Sequence, residues 1–444
     1  MSLNTDTLFT DLSAAPHPVR FSGLISSVTE HVAEVSGLAA FGSVGAAVTV
    51  SNRSGGQVPG EIVGFRGDQA LVMGFRPFAA VGPGCSVRLE PAANFVRPSV
   101  GWLSRVINGA GDPIDGGAPL TYGDKAYPLR AAPPSAFSRG LVDQPLDLGI
   151  AALNTFVTAC QGQRLGIFAG SGVGKTTLMG MLSKLTDAEA NVIVLVGERG
   201  RELAEFLNRH LDGEQRSRTL VVVSTSDESA ILRRRAVLLA VTAAEYLRDQ
   251  GMQVMMLMDS ATRYAMALRE IGLANGEPPG AGGYPPSVIA ELPRMIERLG
   301  PVEGSGAITA FLTVLVDGDD MNDPVADAMR GFLDGHIVLD RRVAERGRYP
   351  PIDVVRSVSR AMPHCNRPED ASASARALKL ESVYLDIEDL YKLSLYKLGT
   401  DPEIDRAIAF HGKLEQFLSQ APGERRTLDE GFNTLRAALA EVGL

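Results

Sequence analysis

Cysteine and metal-binding patterns are scarce in this chain of 444 residues. Its three cysteines, Cys85, Cys160 and Cys365, form no CxxC motif, and no histidine stands at a spacing typical of a metal site. The cysteines therefore fit small, buried apolar residues in a reducing compartment, and we expect no structural metal.

Long apolar runs and a targeting segment are also missing. No apolar stretch approaches the roughly 18 residues that a membrane-spanning helix needs. The first residues carry Asp6 and Asp11, and they lack the basic and then apolar segments of a secretory signal. We therefore expect a cytoplasmic protein.

An excess of positive charge is the third absence. The 43 Lys and Arg residues are outnumbered by 52 Asp and Glu residues, which gives a net charge of -9. This balance argues against broad nonspecific nucleic-acid binding. With 45% hydrophobic and 21% charged residues, the chain is typical of a globular protein of two or three domains with a sizeable core.

A glycine-rich segment at 169–176 is the clearest motif that is present, with the sequence Ala-Gly-Ser-Gly-Val-Gly-Lys-Thr. It follows an apolar run and precedes a helix-like run, which is the context of a phosphate-binding P-loop. Converging backbone N–H groups and the helix N-terminus favour phosphate oxygens there. Ala169 replaces the usual first glycine, and a position that needs only a small side chain tolerates this change.

The P-loop predicts binding of a nucleoside triphosphate, because the glycine spacing and the Lys-Thr pair disfavour a dinucleotide fingerprint. Lys175 would reach the β- and γ-phosphates, and the Thr176 hydroxyl would ligate Mg²⁺. The residues predicted to contact the nucleotide in this segment are Gly170, Ser171, Gly172, Val173, Gly174, Lys175, Thr176 and Thr177.

Composition and the spacing of apolar residues divide the chain into five segments. Residues 1–20 are a short polar tail, for which disorder is favoured over an amphipathic helix. Short Val/Ile-rich runs and glycine-rich turns at 21–97 predict a small β-barrel. Residues 98–145 form a Gly- and Pro-rich linker of extended backbone without a core. Residues 366–444 show the heptad-like spacing of a helical C-terminal domain.

Residues 146–365 alternate apolar strand-like runs with helical patterns. This alternation predicts an α/β fold, a parallel sheet flanked by helices as in P-loop ATPases, whose ligand binds beyond the carboxyl ends of the strands. The predicted strands lie at 165–168, 192–196, 220–223, 254–258 and 308–314, and the predicted helices lie at 177–185, 202–211 and 230–248.

Two carboxylates end predicted strands in this region. In a P-loop ATPase a carboxylate at the place of Asp259 orients the Mg²⁺ shell. Glu198 would orient the attacking water, and Arg199 would reach phosphate oxygens. The alternative for Glu198 and Arg199 is a solvated, charged turn before a helix.

Arg360 ends the Ser-rich stretch 357–360. An arginine in such a turn is most often a surface residue. If subunits form a ring, Arg360 would instead enter the neighbouring site as an arginine finger, which stabilises transition-state charge. The spacing alone does not choose between these two interpretations.

Several motifs together carry a specific resemblance, which spans residues 21–420. They lie at 166–176, 197–202, 259–264, 291–294, 318–327 and 334–340. On these motifs the chain resembles the hexameric ATPases related to the catalytic subunit of rotary ATP synthase. Within that group it is most similar to the flagellar and type III protein-export ATPases.

The resemblance implies a role in ATP hydrolysis for each matching residue. Lys175 and Thr176 would hold phosphate and Mg²⁺, with Asp259 on the metal side, while Glu198 would polarise the attacking water. The remaining matches are Arg199 and Arg263 near the phosphates, Tyr349 packed on the adenine, and Arg360 as the finger supplied by the adjacent subunit.

The resemblance also implies the partners of the chain. It predicts a homohexamer whose N-terminal tail binds a stator-like regulatory export protein and whose C-terminal helices receive chaperone–substrate complexes. It further predicts peripheral association with a membrane export gate at the inner membrane. No nucleic-acid partner is expected.

The favoured function is therefore an ATPase that energises flagellar protein export, and the sequence leaves an injectisome ATPase as the alternative. A rotary ATP synthase subunit is disfavoured by Glu205-Phe206 and by the Asp-Pro-Val-Ala-Asp stretch at 323–327. An RNA-translocating hexamer would need a basic, aromatic N-terminal surface, which is not found. The presence of Glu198 and Arg360 weighs against a nucleotide-binding protein without hydrolysis.

Overall fold

A computed structural model describes most of the chain. The described residues are 20–90, 94–211, 213–316, 323–362 and 364–443. The prediction for the N-terminal tail lies outside them except at Arg20, and so does part of the motif at 318–327.

The N-terminal region is a closed six-stranded barrel. Its strands are β1 (Ser22–Val28), β2 (Val32–Ser36), β3 (Ala47–Ser51), β4 (Gln57–Arg66), β5 (Gln69–Gly74) and β6 (Ser86–Glu90), joined in the order β1-β2-β5-β4-β3-β6. In β2, Ala33 and Val35 are fully buried while Glu34 points outward, the alternation of a strand with one buried face. The predicted small β-barrel is confirmed.

The segment after the barrel is more than a linker. It holds β7 (Phe95–Val96), β8 (Val106–Asn108) and β9 (Tyr127–Pro128). Strand β8 pairs in parallel with a strand of the central sheet, and Trp102, Ile107, Leu120 and Leu129 are buried in the core. The expectation that residues 98–145 contribute no core is therefore wrong, because scattered apolar side chains between the Gly and Pro residues pack on the sheet.

The central sheet has nine strands. The remaining eight are β10 (Arg164–Ala169), β11 (Ala190–Glu198), β12 (Thr219–Thr225), β13 (Gln253–Asp259), β14 (Gly300–Pro301), β15 (Ala307–Leu315), β16 (Gly335–Leu339) and β17 (Ile352–Ser359). The order is β17-β16-β10-β15-β13-β11-β12-β8, with β14 beside β15. All pairs are parallel except those of β14 and β17.

Helices cover the faces of this sheet, so its central strands are apolar on both sides. In β11, every residue from Ala190 to Gly197 is buried. The helices of this region are α1 (Ala151–Phe156), α2 (Lys175–Leu185), α3 (Gly200–His210), α4 (Gly213–Ser217), α5 (Ala230–Asp249), α6 (Ala261–Ala274), α7 (Pro286–Ile296), α8 (Pro324–Phe332) and α9 (Arg341–Glu345). The five predicted strands and three predicted helices of this region are confirmed.

Three helices form the C-terminal region: α10 (Pro368–Lys392), α11 (Pro402–Leu418) and α12 (Leu428–Ala440). Asp401 caps α11 by accepting hydrogen bonds from the first backbone N–H groups, and Thr427 and Glu430 form a capping box on α12. Phe410 and Leu435 are fully buried where these helices meet each other and α1. The predicted helical C-terminal region is confirmed.

The barrel is attached to the ATPase-like core through a mixed interface. Val63 of β4 packs with Ile231 of α5 in a small apolar cluster. Beside it, Arg234 Nη2 donates to Glu61 Oε1 at 2.5 Å, and both side chains are buried. A buried pair of this kind fixes the position of the barrel, because neither charge has water to replace its partner.

No helix within the described parts of the chain combines the length and the apolar character needed to cross a membrane.

Candidate active site

The P-loop lies between β10 and α2, at the carboxyl edge of the parallel strands. Gly172 and Gly174 have φ angles of 77° and 117°, in the left-handed region that side chains rarely adopt. A Cβ atom on Gly172 would meet nothing within 4 Å, so the loop is open on that side. On Gly174, a Cβ atom would lie 3.4 Å from Pro351 Cγ.

The other predicted P-loop residues divide by exposure. Ser171 and Thr176 are exposed and Thr177 is partly buried, so their polar groups are accessible. Val173 is buried in the core, which leaves only its backbone for a ligand. Arg341 Nη2 donates to the Ser171 carbonyl at 2.9 Å. No sequence motif indicates this contact of Arg341, because Arg341 lies 170 residues from Ser171 in the chain.

Lys175 joins the two carboxylates that end neighbouring strands. Its Nζ lies 2.7 Å from Asp259 Oδ1 and 3.6 Å from Glu198 Oε1. Only 13% of the Lys175 side chain is exposed, compared with 16% for Glu198 and 7% for Asp259. The three predicted residues are therefore brought together in a largely dehydrated cluster, where charge interactions are strong.

The Asp259 carboxylate has a second partner that sequence reasoning missed. Thr313 Oγ1, on β15, donates to Asp259 Oδ1 at 2.8 Å. Both residues are buried. Strand β15 lies between the P-loop strand β10 and the Asp259 strand β13, an order that cannot be read from the sequence.

The pKa of the Glu198 carboxyl is raised toward neutral pH. Burial and the neighbouring Asp259 carboxylate raise the pKa of Glu198 to about 7, against the opposing effect of Lys175. A hydrogen bond with Glu202 raises this pKa further. A carboxylate with such a pKa suits the exchange of a proton near neutral pH.

The two predicted arginines near Glu198 differ in their surroundings. Arg263 packs its side chain over Gly197, and its Nε is buried without a hydrogen-bond partner in the described part of the chain. Arg199 is exposed at the N-terminal cap of α3. Arg263 thus has a buried donor that an anion would satisfy, whereas the Arg199 side chain is exposed to solvent.

Tyr349 lies on the opposite side of the P-loop from Glu198. Its side chain is 48% exposed, and its ring is 4.0 Å from the place of a Cβ atom on Gly174. Its carbonyl accepts a hydrogen bond from Gln420 N at 2.8 Å. This contact connects the aromatic ring beside the P-loop to the segment that follows α11.

Arg360 does not lie in this cluster. It follows β17, whose last residue, Ser359, is opposite Gly335 at the start of β16. The other end of β16, at Leu339, is the end that lies opposite Ala169 of the P-loop strand. Four residues of strand therefore separate Arg360 from the P-loop edge by at least about 13 Å. The Arg360 side chain is exposed, and its Nη2 donates to the Arg330 carbonyl at 3.4 Å.

The donors at the cluster fit a Mg²⁺ ion that binds together with phosphate. The Asp259 carboxylate and the exposed Thr176 hydroxyl offer the hard oxygen ligands that this ion prefers. Lys175 carries a positive charge that phosphate oxygens would attract, and Arg263 Nε is a buried donor that has no hydrogen-bond partner among the described residues.

Comparisons with known proteins match the chain in two consecutive parts. Residues 149–359 match the nucleotide-binding domain of the ATP synthase alpha/beta family. Residues 367–437 match the C-terminal domain of the type III secretion ATPase EscN.

Curated relatives match over nearly the whole chain. The flagellum-specific ATP synthase of Caulobacter vibrioides is 48% identical, over 94% of this chain and 96% of the relative. That of Bacillus subtilis is 45% identical, over 87% of this chain and 88% of the relative. The SPI-2 type 3 secretion system ATPase of Salmonella typhimurium is 44% identical, over 83% of this chain and 84% of the relative.

A solved structure has the same fold. The assembled ATPase EscN from the type III secretion system of enteropathogenic E. coli superposes with a TM-score of 0.88 and 37% identity, over 94% of this chain and all of that one. The same ATPase in complex with its central stalk EscO gives a TM-score of 0.86. The chain therefore belongs to the ATP synthase alpha/beta family, in its flagellum-specific and type III secretion branch, and it is an ATP-hydrolysing enzyme.

Proposed function

We propose that this chain is the motor subunit of the flagellar type III protein-export apparatus, where ATP hydrolysis energises the delivery or unfolding of export substrates. The observation that carries this proposal is the buried cluster of Lys175, Glu198 and Asp259 in a chain that is 48% identical to a flagellum-specific ATP synthase. The cluster accounts for ATP hydrolysis, and the relatives indicate that hydrolysis serves flagellar protein export.

Each residue of the cluster has a part in the proposed reaction. Lys175 leaves Asp259 to bind the β- and γ-phosphates, and the exposed P-loop backbone holds the same oxygens. Glu198 in its carboxylate form orients the attacking water. Tyr349 packs on the adenine. Thr176 and Asp259 would hold Mg²⁺, which would supply positive charge for the phosphates.

The site is proposed to be completed by a second copy of the chain. Arg360 is exposed and lies at the end of β17 that is remote from its own P-loop, which supports its role as a finger for the neighbouring subunit. A head-to-tail interface that supplies one residue to the next subunit generates a closed ring when the rotation between subunits closes. A homohexamer is the ring that the family resemblance favours.

Export partners are proposed for the two ends of the subunit. The N-terminal tail would bind a stator-like regulator, and the C-terminal helices would receive chaperone–substrate complexes and a stalk-like protein. Leu393, Leu395 and Leu398, in the turn after α10, are 69%, 69% and 65% exposed. Exposed leucines at one turn support protein docking there. The ring would then lie in the cytoplasm, peripherally bound to the export gate at the inner membrane.

Export from living cells tests this function. The gene would be deleted from its own bacterium and replaced by the wild type, Glu198→Gln or the surface control Glu214→Gln. We expect the wild type and Glu214→Gln to restore hook and filament proteins in the culture medium, and Glu198→Gln to reduce them strongly. Normal flagellar export in the deletion strain would contradict the proposal.

An injectisome ATPase is the second candidate, favoured by the 44% identity to the SPI-2 ATPase. Affinity capture of the chain from its native cells, followed by mass spectrometry, separates the two. Flagellar rod and hook proteins with their chaperones would support the flagellar function. Injectisome effectors would support the alternative, and rotary-motor stalk and membrane-ring subunits would overturn both.

A further inference from the structure

Thr313 occupies a central place in the sheet that no catalytic motif predicts. It lies on β15, opposite Ile167 of the P-loop strand β10, and its side chain is fully buried. The neighbouring strand on the other side is β13, which ends at Asp259. Thr313 is therefore positioned between the P-loop strand and the strand that carries the metal-side carboxylate.

The Thr313 hydroxyl holds one particular oxygen of Asp259. Oγ1 donates to Oδ1 at 2.8 Å, and Lys175 Nζ lies 2.7 Å from the same Oδ1. Both contacts fix the rotation of the carboxylate about its Cβ–Cγ bond. They leave Oδ2 as the oxygen to face a metal ion and its water ligands.

Binding of ATP would remove one of these two contacts of Asp259. Phosphate oxygens attract Lys175, which then leaves Asp259. Thr313 is buried on a central strand, and Asp259 is the partner of its hydroxyl among the described residues, so its hydrogen bond is the one that would persist.

A second hydrogen bond joins β15 to α6, the helix that follows Asp259. Leu315 N, two residues after Thr313, donates to Thr262 Oγ1 in the first turn of α6 at 2.9 Å. The end of β15 is thus tied to the residues on both sides of the turn that follows Asp259. This pair of contacts keeps Thr313 Oγ1 within hydrogen-bond distance of Asp259.

We propose that Thr313 is a positioning residue for Mg²⁺, which orients the Asp259 carboxylate once Lys175 has moved to the phosphates. The inference rests on the Mg²⁺-dependent ATP hydrolysis of the proposed function. Partners that orient metal ligands from the second layer typically change metal affinity or activity by about 10- to 100-fold when they are lost. The hydroxyl of Thr313 is such a partner.

Three variants test this role. Thr313→Val removes the hydroxyl at nearly constant volume, and Thr313→Ser retains it. Thr309→Val is the matched control, because Thr309 lies on the same strand and is also buried, but its hydroxyl accepts from Gly162 N at the other edge of the sheet. For each variant, the binding of a fluorescent ATP analogue is titrated against Mg²⁺, and the KM for Mg²⁺, the kcat and the thermal unfolding midpoint are measured.

We expect Thr313→Val to require about tenfold more Mg²⁺ for analogue binding and hydrolysis, with metal-free analogue binding unchanged. Thr313→Ser should recover the wild-type Mg²⁺ dependence, and Thr309→Val should lower only the unfolding midpoint. If Thr313→Val shifts the unfolding midpoint but leaves the Mg²⁺ titration at its wild-type position, the positioning role is refuted. If the wild type itself shows no Mg²⁺ dependence, the metal part of the proposed function fails and the inference fails with it.

Discussion

At the scale of single residues, the site without nucleotide is a balanced set of charges. Lys175 compensates Asp259 directly and Glu198 more weakly, with Nζ at 2.7 Å and 3.6 Å from the two carboxylates. A buried charge without a partner is costly. In the proposed mechanism, the arriving phosphates would take over this cation, and the two carboxylates would then be available to a metal ion and to the attacking water.

Removal of this cation is expected to abolish hydrolysis. Lys175→Ala removes the group that binds the β- and γ-phosphates, and we expect kcat/KM to fall by at least about 100-fold, the usual effect of losing one electrostatic contact to developing charge. Lys184→Ala is the control, because Lys184 lies on the same helix and is exposed. An ATPase rate of Lys175→Ala close to that of Lys184→Ala would contradict the P-loop assignment.

The raised pKa of Glu198 predicts a pH dependence. The carboxylate is the active form, so protonation inactivates the site, and kcat/KM should rise with pH through a midpoint of about 7. Glu202→Ala removes a hydrogen bond and a negative charge that both raise this pKa. The midpoint should therefore move to lower pH in that variant. A midpoint that stays unchanged in Glu202→Ala would show that Glu198 does not control the profile.

At the scale of elements, the strands bounded by glycine-rich turns could be predicted, and the edge strands could not. Strand β11 is a continuous buried run, which a sequence displays directly. Strand β17 is interrupted by Asp353 and Arg356, because it is an antiparallel edge strand with exposed residues. Strand β8 has only three residues within a Gly- and Pro-rich segment, so its composition concealed its place in the sheet.

The candidate site could also be predicted only in part. Lys175, Glu198 and Asp259 could be predicted, because each follows or ends a recognisable strand and carries a charge. Thr313 could not, because its contact with Asp259 spans 54 residues and depends on the order of strands in the sheet. A threonine inside an apolar strand is also an ordinary residue for that setting.

The attachment of the barrel gives a prediction about stability. Glu61→Ala leaves Arg234 buried without its carboxylate, and loss of one partner from a buried pair costs about 3–5 kcal/mol. Glu34→Ala breaks the more exposed pair with Arg66, which is worth at most about 1 kcal/mol. Urea unfolding followed by circular dichroism measures both changes. Equal losses in the two variants would show that the Glu61–Arg234 pair does not fix the barrel.

At the scale of the whole molecule, the residues of the proposed site do not all meet within one subunit. Lys175, Glu198 and Asp259 meet at the carboxyl edge of the sheet, whereas Arg360 follows the far end of β17. The strand between them places Arg360 about 13 Å from its own P-loop. The proposed mechanism therefore needs a second copy, and hydrolysis should depend on assembly.

Mixed assemblies of two inactive variants test this claim most directly. Glu198→Gln and Arg360→Ala, purified with different tags, are combined, and the ATPase rate is measured on rings shown to contain both tags. In a random mixture about one quarter of the interfaces pair an intact Glu198 with an intact Arg360 of the neighbour, because each interface takes one part from each subunit.

We expect the mixed rings to regain a comparable fraction of the wild-type rate. The control mixes Glu198→Gln with Lys175→Ala, which damage the same side of the interface and should show no recovery. Mixed Glu198→Gln and Arg360→Ala rings that stay as inactive as each variant alone would contradict a site shared between two subunits.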